Sequence, residues 1–186
     1  MNIQNAIQEG SQILRYYKCK TPLLDSEILM SKVIQKDRQF IVLNPNMIIK
    51  KDDFTIFKKL IKKRSNGKPV SYLIGRKSFW KNDFEINSNV LIPRPDTELI
   101  IEEVLKLSKN MNKLRILDIG VGSGCILLSI LSEKKNFYGI GIDISKKCID
   151  LSKKNSFKLK LDKRVKFFKS NVDNFNYGKY DLIISN

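Results

Sequence analysis

The sequence predicts an α/β protein in which a small N-terminal helical bundle precedes a Rossmann-like domain. Three observations carry this prediction. Apolar residues recur at helical spacing over the first 66 residues, and from about residue 114 short apolar runs alternate with amphipathic stretches. Between the first of those runs and the stretch after it lies a glycine-rich segment, DIGVGSG, of the kind that turns a strand into a helix beside a ligand. A chain of 186 residues has room for both parts.

The first helix begins with Ile3, Ala6 and Ile7 and runs on through Ile13 and Leu14, one face apolar. Thr21-Pro22 starts a second, with Thr21 as N-cap and proline at the first helical position, where its missing N–H costs nothing. Asp52 or Asp53 is expected to cap a third, with Phe54, Phe57, Leu60 and Ile61 on its apolar face. Its basic end, Lys62, Lys63 and Arg64, suits the negative helix terminus before Asn66-Gly67. From Phe79 to Ile92 the period falls to two, with Phe84 and Ile86 alternating against polar neighbours, which suggests a hairpin or extended linker closed by Pro93 and Pro95. A helix capped by Asp96 or Thr97 should follow, burying Leu99, Ile100, Val104 and Leu105.

The remainder reads as strand, helix, strand, helix, strand, strand: LRILDIG, GCILLSILSE, FYGIGID, SKKCIDLSKK, RVKFFKS and YDLIISN. The strands are continuous apolar runs, the pattern expected when helices cover both faces of a parallel sheet. The expected organisation is a helical domain over 1–75, a hairpin linker over 76–95 and a nucleotide-type domain over 96–186.

Composition narrows the chemistry. The chain has no histidine, which excludes Ser-His-Asp hydrolases, Cys-His proteases and HExxH metalloproteases together. Cys19, Cys125 and Cys148 form no CxxC pair, so neither a disulfide framework nor a zinc site is indicated, and no metal ligand set is expected. No apolar run approaches the roughly 20 residues needed to cross a bilayer. Gln4, Gln8 and Glu9 interrupt the N-terminal apolar residues, so no signal peptide is expected there and a cytoplasmic location follows. The formal charge is +16, and residues 1–78 hold 16 basic against 6 acidic side chains. Such a surface attracts polyanions. The sequence is rich in Lys, Asn and Ile throughout, however, so nucleic acid is a possible but not a specific partner.

The chemistry centres on Asp118, Gly120, Val121, Gly122, Ser123 and Gly124. Ligands of doubly wound sheets lie at the strand C-termini. The glycines let the backbone approach a ligand closely, and the helix starting near Gly124 offers free N–H groups to an anion. Two features argue against a nicotinamide dinucleotide: the spacing is GxGxG, with Cys125 where GxGxxG needs its third glycine, and Asp118 would repel a pyrophosphate. S-adenosyl-L-methionine ends instead in an amino acid, whose ammonium can meet the carboxylate while loop N–H groups take its carboxyl end. Asp143 closes the next strand, 19 residues after Gly124 (143 − 124), where a ribose-binding acid belongs, and Ser145 caps the helix behind it. After the third strand, Asn171 could recognise the adenine amine and Val172 could pack on the ring; Asn171 serves equally well as a turn residue.

At LIPRPDTE (91–98), DIGVGSG and the terminal IISN, the sequence resembles the glutamine methyltransferases of class-one peptide-chain release factors, the HemK or PrmC family. The resemblance spans essentially the whole chain. It implies a helical N-terminal domain, a hairpin linker and a truncated class I methyltransferase domain, with release factors as protein substrates. In that family the fourth strand ends in NPPY, whose asparagine and following proline hold the substrate amide; Asn186 matches the first letter and is thereby implied as the catalytic residue. Two departures stand out. The sequence stops at Asn186, which leads to the expectation of a fragment, a split gene product or a decayed copy with little turnover of its own. Asn171 and Val172 stand where the family commonly carries an aspartate and a large aromatic, which should weaken adenine binding. Two other readings remain: an adenine-directed nucleic-acid methyltransferase, and a non-catalytic module that holds cofactor or release factor.

Overall fold

The computed structural model describes residues 1–186 and divides into two compact units, Met1–Gly75 and Arg76–Asn186. No helix in it is long and apolar enough to cross a membrane.

The first unit is all helical: α1 (Ile3–Tyr16), α2 (Pro22–Ile34), α3 (Arg38–Leu43), α4 (Lys51–Ser65) and α5 (Val70–Ile74). Its core gathers Ile3, Ala6, Ile7 and Leu14 from α1, Leu29 and Met30 from α2, and Phe57 and Ile61 from α4. The buried positions of α1 are 3, 6, 7, 10, 11 and 14 and those of α2 are 25, 26, 29 and 30, one stripe per helix. The helix caps differ in detail from expectation. Thr21 occupies the N-cap of α2, yet its hydroxyl donates to Asp25 Oδ1 at 2.8 Å and caps no backbone N–H. Helix α4 begins earlier than its aspartates, at Lys51 after an N-cap at Lys50, so Asp52 and Asp53 lie in its first turn. There they favour the positive helix end without capping it. Lys62, Lys63 and Arg64 occupy the last turn of α4 as expected, and Arg64 does more: its Nε reaches Oδ2 of the buried Asp25 at 2.7 Å, pinning α4 to α2.

The second unit opens with an antiparallel hairpin, β1 (Arg76–Phe79) and β2 (Asn82–Glu85), turning at Trp80-Lys81. Trp80 has φ +54, and its backbone N–H donates to Glu98 Oε1 at 2.8 Å while its indole donates to Glu133 Oε1 at 2.7 Å. A 3-10 turn (Pro95–Thr97) leads into α6 (Glu98–Leu107), where neither Asp96 nor Thr97 caps through its side chain. The buried positions are Thr97, Ile101, Val104 and Ser108, a helical repeat; Leu99 lies on the opposite side and is exposed, contrary to the expected stripe.

The sheet follows: β3 (Arg115–Ile119), α7 (Cys125–Glu133), β4 (Tyr138–Asp143), α8 (Lys146–Lys158), β5 (Val165–Lys169) and β6 (Leu182–Ser185). Its order is β5-β4-β3-β6, all parallel. The helices do not cover both faces as the apolar runs suggest. The crossovers β3–α7–β4 and β4–α8–β5 step in the same direction with the same hand, which brings α7 and α8 to one side. With α6 and the hairpin they share a core with Ile116, Phe167 and Ile184. The other face carries Leu117, Ile140 and Ile142, packed by Ile119, Phe168, Phe175 and Tyr180 from the strands and the segment before β6.

Candidate functional site

The C-terminal ends of β3, β4, β5 and β6 lie along one sheet edge, and the residues singled out above gather there. The loop from Gly120 to Gly124 holds its shape through bonds to the neighbouring strand. Gly120 and Val121 N–H groups both donate to the Ile142 carbonyl at 2.9 Å, and Gly122 N–H donates to Asp143 Oδ2 at 3.0 Å. Gly120, Gly122 and Gly124 all have positive φ, between 55° and 80°, where a side chain would be strained. Gly124 is the N-cap of α7, so the first-turn N–H groups have no intrahelical acceptor; that of Leu127 is taken by Asp118, and those of Cys125 and Ile126 bond the Cys125 sulfur.

Asp118 lies under this loop, 2% exposed, and accepts from the Leu127 N–H. Burial pushes its carboxyl up to about 7, with nearby Asp143 adding to the rise and the Leu127 bond opposing it. A carboxylate held at this cost in a low-dielectric site favours a cationic neighbour. Asp143 is the last residue of β4; besides the loop bond, its Oδ1 accepts from Ser145 N–H at 2.8 Å, and Ser145 Oγ caps α8 by accepting from Cys148 N–H at 3.4 Å. Asp118, Asp143 and Asp173 stand around these strand ends, with the exposed Lys169, the last residue of β5, in register with Asp143.

Asn171 and Val172 are exposed beyond β5. The Asn171 oxygen accepts from Asn174 N–H at 3.0 Å, which is the turn role. Ser185 Oγ donates to the Ile119 carbonyl at 3.1 Å, tying β6 to β3 next to the loop. One residue on, Asn186 Nδ2 donates to Oγ1 of the buried Thr97 at 3.3 Å, joining the end of β6 to the LIPRPDTE segment.

Two residues were not foreseen. Asn155, 1% exposed on α8, accepts from Glu85 N–H at 2.8 Å and donates to the Glu85 carbonyl at 3.0 Å and the Ser123 carbonyl at 2.9 Å. It fastens the hairpin to the glycine loop. Its signal in the sequence is a polar residue in register with Cys148, Leu151 and Ser152 on the inner stripe of α8. Ile144, directly after Asp143, leaves 73% of its surface exposed at the same edge.

A glycine loop between strand and helix, closed by acids on adjacent parallel strands, defines a Rossmann-like nucleotide-type site, and residues 109–186 match the family model described as a methyltransferase domain. Residues 5–75 match the model of the PrmC N-terminal domain. Three relatives named release factor glutamine methyltransferase align with the entire chain. Those of Buchnera aphidicola subspecies Baizongia pistaciae and Schizaphis graminum are 38% and 36% identical, and the chain spans 66% of each. That of Clostridium botulinum is 35% identical, with 67% of its length spanned. The chain belongs to the release factor glutamine methyltransferase family.

Proposed function

We propose that this chain binds S-adenosyl-L-methionine at the glycine loop and directs its methyl group onto the side-chain amide nitrogen of a glutamine in peptide-chain release factors. The charge pattern at the sheet edge carries the reading. A buried acid, Asp118, beside Asp143 and the start of α7 suits a ligand that has a sulfonium and an ammonium as well as a carboxylate, whereas a phosphate would meet two carboxylates.

In this reading the Gly120–Gly124 loop and the first turn of α7 hold the carboxylate end, and Asp118 balances the positive charge. The free lone pairs of Asp143 accept from the ribose. Ile144 and Val172 offer apolar surface to the adenine, and the remaining capacity of Asn171 meets its amine. When bound, the cofactor supplies a methyl group already activated by the sulfonium. The chain's own task is positioning. An amide nitrogen is a weak nucleophile, its lone pair delocalised into the carbonyl, so holding it in line removes much of the entropic barrier. In this reading Asn186, which donates to Thr97 Oγ1, takes that amide at the end of β6. Histidine, which the chain lacks, is not required. We also infer a cytoplasmic location, in keeping with three cysteines that form no disulfide.

The test is an incubation with methyl-labelled S-adenosylmethionine and, in parallel, a release factor, stripped transfer RNA and unmethylated DNA. Label on a glutamine amide of the release factor is expected. Label entering only nucleic acid would replace this reading with the adenine-directed one. Cofactor binding by calorimetry with no labelled product would leave a binding module.

A further inference from the structure

At the opposite edge of the sheet, the N-terminal ends of β3, β4 and β5 and the segment entering β6 line an open cavity of about 420 Å³. None of the glycine loop, Asp143 or Asn186 borders it. Its charged groups fall into two sets. Arg164 is committed to structure: its guanidinium donates to the carbonyls of Leu131, Lys134 and Phe137. Arg115 stacks against Tyr177 and Tyr180, at 5.7 and 5.1 Å from the ring centres. The acid in the wall, Asp181, accepts from the Arg115 backbone N–H at 2.7 Å.

Lys113, Lys163 and Lys166 form the other set. All three are exposed and none takes part in an ion pair; Lys113 lies over the Tyr138 ring at 5.5 Å. Tyr138 and Tyr177 each leave 46% of their surface open. A lysine-rich composition scatters charge everywhere, but it does not place two half-open aromatic rings in a concave wall among unpaired ammonium groups. That combination fits a flexible polyanion with flat, stackable groups: phosphates meet the lysines and a base stacks on a ring.

We propose that this cavity is a binding site for single-stranded nucleic acid, with a base stacked on Tyr138 or Tyr177 and neighbouring phosphates on Lys113, Lys163 and Lys166. It is separate from the methyl-transfer site and needs no cofactor.

The test is fluorescence anisotropy of a short labelled oligoribonucleotide with the whole chain, without S-adenosylmethionine, over a series of salt concentrations. Binding is expected, with Tyr138→Leu and Tyr177→Leu each weakening it roughly 5- to 100-fold while leaving the salt slope in place. The triple substitution Lys113→Ala, Lys163→Ala, Lys166→Ala should weaken binding and lower the slope by about 2. The same number of charges removed from α4 (Lys59, Lys62 and Lys63 to Ala) should leave affinity nearly unchanged, and circular dichroism reports whether each variant is folded. The proposal is overturned by absence of binding at low salt, by equal losses from the two triple variants, by indifference to both tyrosines, or by equal affinity for the duplex of the same sequence.

Discussion

The carboxamide of Asn155 on α8 donates to the carbonyl of Ser123 in the glycine loop at 2.9 Å, while its other hydrogen-bonding atoms pair with the backbone of Glu85 on β2. One buried side chain thus fixes the loop and the hairpin together. Asn155→Ala strands a Glu85 N–H and two carbonyls away from water, a loss of about 2–4 kcal/mol. We expect a lower melting temperature and weaker S-adenosylmethionine affinity, with Asn155→Asp also impaired because a carboxylate cannot donate to the two carbonyls. A variant as stable and as tight-binding as the parent would remove Asn155 from the account.

Asp118 yields a pH dependence of defined sign. Its carboxyl sits at about 7 in the fold against 3.8 as a free group, so the folded state binds the proton more tightly. The penalty is absent below pH 3.8, grows as pH rises to about 7 and stays constant above, on the order of 4 kcal/mol. Asp118→Asn should therefore be more stable than the parent at pH 8 and show no advantage below pH 4, in chemical denaturation at both pH values. With Asp118 in the proposed role of balancing the cofactor's positive charge, cofactor affinity of the parent should fall as pH drops below about 7, where the carboxylate takes up its proton. An affinity flat from pH 5.5 to 8 would contradict this role.

Asp143 acts on the same titration. It raises the Asp118 carboxyl by like charge, and its own oxygens accept from Gly122 and Ser145. Asp143→Asn turns one acceptor into a donor against a backbone N–H and removes the neighbouring charge. Affinity for S-adenosylmethionine is expected to fall at least about tenfold, a loss of one charge-assisted bond. The midpoint of the remaining pH dependence should move down, and a midpoint that moves up would reverse the electrostatic assignment.

How much of this could be read from the chain follows the distance over which each signal acts. The glycine loop, the strand-ending Asp143 and the Ser145 cap are local patterns, and the sequence displays them directly. The pairings of Asn155 with Ser123, Arg64 with Asp25 and Asn186 with Thr97 join residues 32, 39 and 89 positions apart, and no local period encodes them. Leu99 departs from its expected place for a different reason: Leu99, Ile100 and Ile101 are consecutive apolar residues, and the run alone does not say which of them shares the face of Val104. The sheet's one-sided helical cover likewise depends on strand order, β5-β4-β3-β6, which an apolar run does not specify.

Close packing under the loop makes β4 intolerant at Gly141. A Cβ there would lie 2.7 Å from Val121 Cγ2 and 2.8 Å from a Phe167 ring carbon. Gly141→Ala must push Val121, and with it the loop, or shift β5; overpacking of this kind costs about 1–3 kcal/mol. The expected result is a reduced melting temperature together with a loss of cofactor affinity; at Gly67, where a Cβ meets open space but φ is +86, Ala should lower the melting temperature by backbone strain alone and leave cofactor affinity in place. A Gly141→Ala variant that keeps the parent's cofactor affinity would show that the loop accommodates the added carbon.

Trp80, the single tryptophan, gives the hairpin its own reporter. Its indole N–H donates to Glu133 Oε1, which also meets Lys81 Nζ at 2.7 Å. The Lys81 bond first and the Trp80 bond second hold the Glu133 carboxyl below its usual range. A depressed carboxyl stabilises the fold above its unfolded value of 4.5 and loses that contribution as pH falls through the lower folded value. Acidification should therefore release the indole bond, shifting Trp80 emission at a pH below 4.5 and ahead of global unfolding followed by circular dichroism. In Glu133→Gln the amide oxygen can still accept from the indole but carries no titrating charge, so the early emission change should vanish while the late one persists. An emission change that survives this substitution would have another origin, and the hairpin's attachment to α7 would not depend on Glu133.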